Sequence, residues 1–316
     1  MRVPAPAKIN LHLRVGPRRA DGFHPLLTWM TTVALFDTLT FVRRRPNAQG
    51  PTTPQRDAEW FVLSCDDPGL PTGRDNLVVK AATALADAIS RDRTSRPGEG
   101  SIGRLDGVSA LLAKRIPSGA GLGGGSSDAA ATLIGLNALW KLDLPAPRLS
   151  AIAGQIGSDV PFFLHGASSI CTGRGEIVRP VARLDMKWAT LVLPKYPMPT
   201  PAVYRRFDEM NLGREESVAE EQDWDSWSKL SAAELMERLV NDLEPAAFSL
   251  RPELGELWSK LERELSQVVR MSGSGSSLFT LCDEADRAES HAKRTKESFG
   301  VDAIAVALTP ATASQQ

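Results

Sequence analysis

The densest chemistry in the sequence is a glycine-serine run, Ser118-Gly119-Ala120-Gly121-Leu122-Gly123-Gly124-Gly125-Ser126-Ser127, introduced by Pro117. Five glycines between positions 119 and 125 let the backbone turn tightly and approach a ligand with no Cβ in the way. The run follows 108–116, which reads as a strand, and precedes 128–141, an alanine- and leucine-rich stretch that reads as a helix. A helix start offers unpaired N–H groups and the positive end of its dipole, a seat for a nucleotide phosphate. Ser126 and Ser127 add hydroxyls suited to a phosphate or to Mg²⁺. The plain alternative, a flexible surface turn, fits poorly with so much glycine directly against a helix start.

Two familiar phosphate loops fail. A Walker A loop needs Lys after its last glycine, where Ser126 stands. Residues 119–124 do satisfy GxGxxG, but a dinucleotide fold then needs a parallel strand ending in an acidic residue about 20 residues on. Asp143 lies near that distance in a proline-bearing stretch that is no strand. Lys114 and Arg115 also stand in the preceding strand, where a buried parallel strand is apolar.

Other candidate residues are more scattered. Along 7–15 the residues alternate strictly, with Ile9, Leu11, Leu13 and Val15 on one face and Lys8, Asn10, His12 and Arg14 on the other. That predicts a strand with one face on a core. Lys8 and Asn10 can then line one site, or Lys8 can be a solvated charge on the sheet's outer face. Asp159, just before Val160-Pro161, reads on its own as the N-cap of a short helix over 161–164. Asp128 reads as the opening residue of the loop helix, where the dipole accounts for it. A second run, 272–277, shares the anion-cradling composition and reads equally as a tight turn between strands.

The elements that must position these residues follow from periodicity. Strands are expected at 26–35, 38–43, 60–64, 167–172 and 188–193. Asn76 caps a helix marked by Leu77, Ala81, Leu85 and Ile89, and a short helix spans 147–156. Loops are expected at 46–56 and 91–104. Beyond 194, helices at 204–211 and 232–240 flank a polar, acidic stretch at 215–228. The chain then closes with a helix at 252–264, a strand to 271, a strand at 278–282, a helix at 284–299 and a strand at 303–308. That close suits an α/β sandwich, so two domains are expected, 1–185 and 186–316.

Composition bounds the class. The chain has 316 residues, 42% of them hydrophobic and 24% charged, as in an ordinary globular protein. Its 37 basic and 38 acidic residues leave a net charge of −1, which speaks against nucleic acid or an anionic membrane as a whole-surface partner. Cys65, Cys171 and Cys282 are too few and too far apart for a disulfide framework or a zinc site. No apolar run approaches the roughly 18 residues of a membrane span. Residues 1–16 carry polar residues where a signal peptide would be continuously apolar, so a cytoplasmic location is the default.

Three segments together resemble the GHMP kinase superfamily: Pro6-Ala7-Lys8-Ile9-Asn10-Leu11, the loop 117–127 with Asp128-Ala129-Ala130, and Met271-Ser272-Gly273-Ser274-Gly275-Ser276. Two narrower pieces, Arg19-Ala20-Asp21-Gly22-Phe23-His24 and Gly157-Ser158-Asp159-Val160-Pro161-Phe162-Phe163, are similar to one branch, the 4-diphosphocytidyl-2-C-methyl-D-erythritol kinases of the non-mevalonate isoprenoid pathway. The likeness runs in order from about Val3 to Leu308, interrupted near 46–58 and 91–105.

The resemblance implies an α+β, two-domain fold with a ribosomal protein S5 domain 2-like N-terminal domain and a ferredoxin-like C-terminal α/β sandwich. It implies ATP bound on 117–127, Mg²⁺ held mainly by the ATP phosphates, and a cytidine diphosphate-linked methylerythritol as small-molecule substrate. The family's catalytic lysine and aspartate fall on Lys8 and Asp159. Its base-binding aromatic-histidine pair falls on Phe23 and His24, with Phe23 where the family often has Tyr. The segment Pro199-Thr200-Pro201-Ala202-Val203-Tyr204 resembles the one that supplies a second aromatic, Tyr204. Asn10, Thr200, Gly273 and Ser274 complete the expected substrate contacts. Homoserine and mevalonate kinases are the nearest rivals, and residues 20–24 argue against both. A non-catalytic nucleotide sensor is the rival from another class, and the presence of both Lys8 and Asp159 argues against it. Homodimerisation is left open.

Overall fold

The computed structural model describes residues 1–44, 60–95, 106–182, 184–185 and 187–308. The expected loop at 46–56 and the C-terminal tail lie outside the described residues, as does the loop at 91–104 except for its first five positions.

The first part of the chain runs β1 (Arg2–Val15), β2 (Leu26–Arg44), β3 (Phe61–Cys65), α1 (Leu77–Ser95), β4 (Gly107–Ala113), α2 (Gly124–Leu139), α3 (Ala146–Ala153), α4 (Phe162–His165), β5 (Ser168–Gly173) and β6 (Ile177–Pro180). Its six-stranded sheet is organised by β2. That strand pairs antiparallel with β1 on one side, while β4 takes its C-terminal half and β5 its N-terminal half on the other. The two runs expected at 26–35 and 38–43 are therefore one strand, whose ladder to β1 shifts register opposite Pro6 and Ala7.

The second part runs β7 (Trp188–Leu193), α5 (Thr200–Glu209), α6 (Glu215–Ala219), α7 (Trp224–Trp227), α8 (Ala232–Arg238), α9 (Glu244–Leu250), α10 (Pro252–Leu265), β8 (Arg270–Met271), β9 (Leu278–Cys282), α11 (Ala285–Phe299) and β10 (Asp302–Ala307). The four strands lie in the order β10-β7-β9-β8, all antiparallel. Fourth, first, third, second is the ferredoxin-like order, and the fold is α+β.

Local signals explain most boundaries. Asn76 Oδ1 accepts the Val78 amide at 2.9 Å, capping α1. The helix then continues to Ser95, past the expected loop start. In α10, Leu254, Leu257, Leu261 and Leu265 recur at helical spacing and are all buried. The stretch 215–228 is a correction. It reads as a polar, acidic stretch between helices, yet it folds as α6 and α7 and buries Trp224 and Trp227. The strand β6 and the helix α9 carried no clear sequence signal.

Strand β1 corrects a second expectation, because both of its faces are covered. Ile9 and Leu11 pack with Trp29, Leu191, Phe279 and Leu281 in a core joining the two sheets. Each such side chain, fully buried, contributes about 1.5–3 kcal/mol. A bulge between Asn10 and His12 breaks the alternation. His12 pairs with Trp29 and turns from the face of Lys8 and Asn10 into an aromatic box, its ring 5.6 Å from those of Trp224 and Trp227.

Among the described residues neither nitrogen of His12 has a hydrogen-bond partner. Burial, with help from Arg14 and Arg270, pulls its pKa from 6.5 down to about 3. The unfolded chain therefore binds this proton more readily than the folded one, so stability falls as pH drops below about 6.5, by up to about 1.4 kcal/mol per pH unit. Urea unfolding at pH 7 and pH 5 is expected to show a smaller acid loss for His12→Leu than for the wild type. Equal losses would contradict a neutral, buried His12. Among the described residues no helix is long and apolar enough to cross a membrane, and the three cysteines are free.

Candidate active site

A cleft of about 780 Å³ gathers most of the singled-out residues. One wall is the glycine loop. Gly123 has φ +69°, and a Cβ there would come within 2.8 Å of Lys8 Cγ, so only glycine lets the loop close on the lysine. The helix α2 starts at Gly124, not at Asp128. The last four loop residues are thus its first turn, and Gly124, Gly125 and Ser126 carry their amides at the cleft. Ser127 does not line the cleft. It is buried with its hydroxyl unpartnered.

Lys8 is the hub. Its Nζ donates to Asn10 Oδ1 and to the Gly121 carbonyl at 3.2 Å, and lies 3.5 Å from Asp159 Oδ2. The lysine side chain is 5% exposed and the aspartate 33%, so the carboxylate is the partner open to the cleft. Asp159 is no N-cap. Pro161 precedes α4, whose start has no side-chain cap. Asn10 is fixed in turn by its Nδ2 donating to Thr28 Oγ1 at 2.9 Å, and Thr28 donates to the His12 carbonyl at 2.8 Å.

The second glycine-serine run closes the same centre from the other sheet. Ser272 Oγ accepts the Asn10 amide at 3.2 Å and donates to the Gly121 carbonyl at 3.0 Å. One hydroxyl thereby ties the Lys8 strand, the glycine loop and the β8–β9 turn together. Gly273 and Ser274 line the cleft, and Ser274 shares a 2.8 Å hydroxyl contact with Thr200.

Beneath the loop sits an ion cluster with no local sequence signal. Lys114 Nζ donates to Asp37 and, at 3.0 Å, to Asp128 Oδ2. Lys114 and Arg115 follow β4 rather than lying within it, and Asp37 also accepts the Arg115 and Ile116 amides. Burial raises the Asp128 carboxyl to about 7 against the pull of Lys114. Burial opposes charge on Lys114 as well, but the two carboxylates outweigh it and leave its pKa raised. Asp128 is therefore a buried partner inside α2, not a helix-opening charge.

At the far end, His24 Nε2 meets Asp208 Oδ1 at 2.7 Å, and its ring lies 5.0 Å from that of Tyr204. Both line the cleft with Thr200. Burial pushes the Tyr204 hydroxyl pKa well up, so it stays a neutral phenol. Phe23 is half-exposed, and its ring is covered by the Arg174 guanidinium, 4.7 Å from the centroid. It is not among the residues lining the cleft.

Comparison with known proteins gives this geometry a family. Models of the GHMP kinases N-terminal and C-terminal domains match residues 76–167 and 216–299. A 4-diphosphocytidyl-2-C-methyl-D-erythritol kinase from Nocardioides sp. is 39% identical over 294 residues, 90% of each chain. The chain belongs to the 4-diphosphocytidyl-2-C-methyl-D-erythritol kinase family. A relative of the same name from Prochlorococcus marinus is 38% identical over 94% of this chain and 89% of its own. A crystal structure of a 4-(cytidine 5'-diphospho)-2C-methyl-D-erythritol kinase superposes with a TM-score of 0.70 at 34% identity, covering 98% of this chain and 100% of that one. A homoserine kinase from Cytophaga hutchinsonii shares the fold, with a TM-score of 0.68 at 16% identity.

Within this kinase family member, sequence reasoning missed Thr28, Lys114 and Arg174 as cleft-lining residues. Only Arg174 had a usable signal, the Gly173-Arg174-Gly175 turn that both flanking glycines make with positive φ.

Proposed function

We propose that this kinase transfers the γ-phosphoryl group of ATP to the 2-hydroxyl of 4-diphosphocytidyl-2-C-methyl-D-erythritol, with Lys8 and Asp159 as the catalytic pair. The single observation that carries the reading is the 3.5 Å Lys8–Asp159 pair set against the glycine loop in one cleft. Residues 1–185 supply that pair and the ATP seat, and residues 186–316 close the cleft through Tyr204 and the 272–277 turn.

In the proposed reaction the 2-hydroxyl oxygen attacks the γ-phosphorus in line, and the bond from γ-phosphorus to the bridging oxygen breaks to release ADP. The hydroxyl proton passes to the cleft-facing carboxylate of Asp159. Lys8, held by Asn10 and the Gly121 carbonyl, sets its charge between acceptor oxygen and γ-phosphate. The amides at the start of α2 hold phosphate oxygens. Mg²⁺ bound to the ATP phosphates would neutralise their charge. The Ser126 hydroxyl at the cleft is an oxygen donor suited to it, and among the described residues no His, Cys, Asp and Glu cluster forms a cage of its own. His24 and Tyr204 mark the base end, where the Tyr204 ring stacks and the His24 nitrogen left free by Asp208 reads the base edge. Phe23, half-exposed beneath Arg174 outside the cleft lining, supplies a second aromatic only at the rim. Asn10, Thr200, Gly273 and Ser274 contact the rest of the acceptor.

Phosphorus NMR of the product tests this. The new phosphate resonance is expected on the 2-oxygen of the erythritol, with the diphosphate unchanged. Phosphate on another hydroxyl, or only free phosphate, would overturn the assignment.

A further inference from the structure

Three Lys or Arg side chains among the described residues line the cleft: Lys8, Lys114 and Arg174. The first two are engaged by partners. Lys8 is held by Asn10, Gly121 and Asp159, and Lys114 lies between Asp37 and Asp128. Arg174 is different. Its ion pair is a loose one with Glu176, Nε to Oε1 at 3.7 Å, and its side chain is 41% exposed. Its guanidinium lies over the Phe23 ring, a cation–π contact that needs no hydrogen-bond acceptor.

Position gives that cation a task. Arg174 stands in the β5–β6 turn, next to Gly175, where an added Cβ would lie 3.6 Å from Ser158 Cβ and 3.7 Å from Asp159 Oδ1. It thus spans the distance between Phe23, at the base end, and Asp159, at the acceptor hydroxyl. Resting on the function proposed above, the acceptor carries its base at one end and its reacting hydroxyl at the other, with a diphosphate between them. We propose that Arg174 binds that diphosphate and makes the cleft selective for a nucleoside diphosphate over the bare nucleoside. A planar guanidinium suits two phosphate oxygens at once, and its cation–π contact with Phe23 helps hold it there. The ATP phosphates face the amides of the glycine loop instead.

Calorimetric titration with CDP and with cytidine, on wild type, Arg174→Gln and Arg174→Lys, tests the assignment. Wild type is expected to bind CDP at least about 10-fold more tightly than cytidine. Arg174→Gln should lose about 10- to 100-fold in CDP affinity, with cytidine affinity and the KM for ATP held within about three-fold. Arg174→Lys should recover part of the loss. If CDP affinity survives in Arg174→Gln, the inference fails while the function stands. The same holds if cytidine affinity falls equally, a packing effect through Phe23, or if only the KM for ATP rises. Wild type blind to CDP would overturn the function and this inference together.

Discussion

Asp159→Asn is expected to lower kcat by about 100-fold or more while ATP still binds with near-normal affinity. The substitution keeps size and shape but removes the proposed proton acceptor and the negative partner of Lys8, which lies 3.5 Å away. A loose phosphoryl-transfer transition state asks less of a base than of positioning, so the lower part of the usual general-base range applies. The proposed ATP seat is built largely from backbone amides of the glycine loop, which the change does not touch. Steady-state kinetics with calorimetric ATP binding separates the two effects. A folded variant with kcat within a few-fold of wild type would remove Asp159 from the mechanism.

Lys114→Met is expected to be the most destabilising single change near the cleft, costing about 3–5 kcal/mol. Asp37 is fully buried and Asp128 nearly so, and among the described residues Lys114 is the one cation paired with them. Removing it leaves two carboxyl groups facing each other away from water. Asp37 keeps the Arg115 and Ile116 amides, so Asp128 is the group left to take up a proton. Its folded pKa, already about 7 with the lysine present, lies above the unfolded value of 3.8. Without the lysine that pKa rises further, so above about pH 7 the variant's folded state still holds a proton the wild type has released, and its stability goes on falling as pH rises. The Lys114→Met defect should accordingly be larger at pH 8 than at pH 6. Asp128→Asn, which leaves Asp37 paired, should cost much less. Denaturant midpoints at the two pH values measure all of this, and a loss below about 1 kcal/mol for Lys114→Met would contradict an ion cluster that holds the loop base together.

Much of the site was legible where local chemistry sufficed. A glycine-dense run before an apolar helix points to an anion seat without any partner, and the Asn76 cap and the leucines of 254–265 marked their helices by the usual signals. Lys8 was legible only in part. Alternation placed it on one face, but whether that face met solvent or a site depended on a loop more than a hundred residues away. The bulge before His12 was not legible, because register is a property of a pair of strands. The helix α2 begins four residues before the expected start, which glycine's poor helix propensity at 124 and 125 concealed. Trp224 and Trp227 were hidden by acidic neighbours that face outward. Asp37, Lys114 and Asp128 come from three separate segments, so no spacing could join them. The net charge of −1 gave no hint of a phosphate-handling cleft, since backbone amides do not enter a charge count.

The most direct measurement is ADP release with 4-diphosphocytidyl-2-C-methyl-D-erythritol, homoserine and mevalonate offered side by side. Turnover is expected with the cytidyl compound, and only background ADP with the other two. Preference for homoserine or mevalonate would contradict the substrate assignment, and ADP release with none of the three would point to a protein that binds nucleotide without transferring its phosphate.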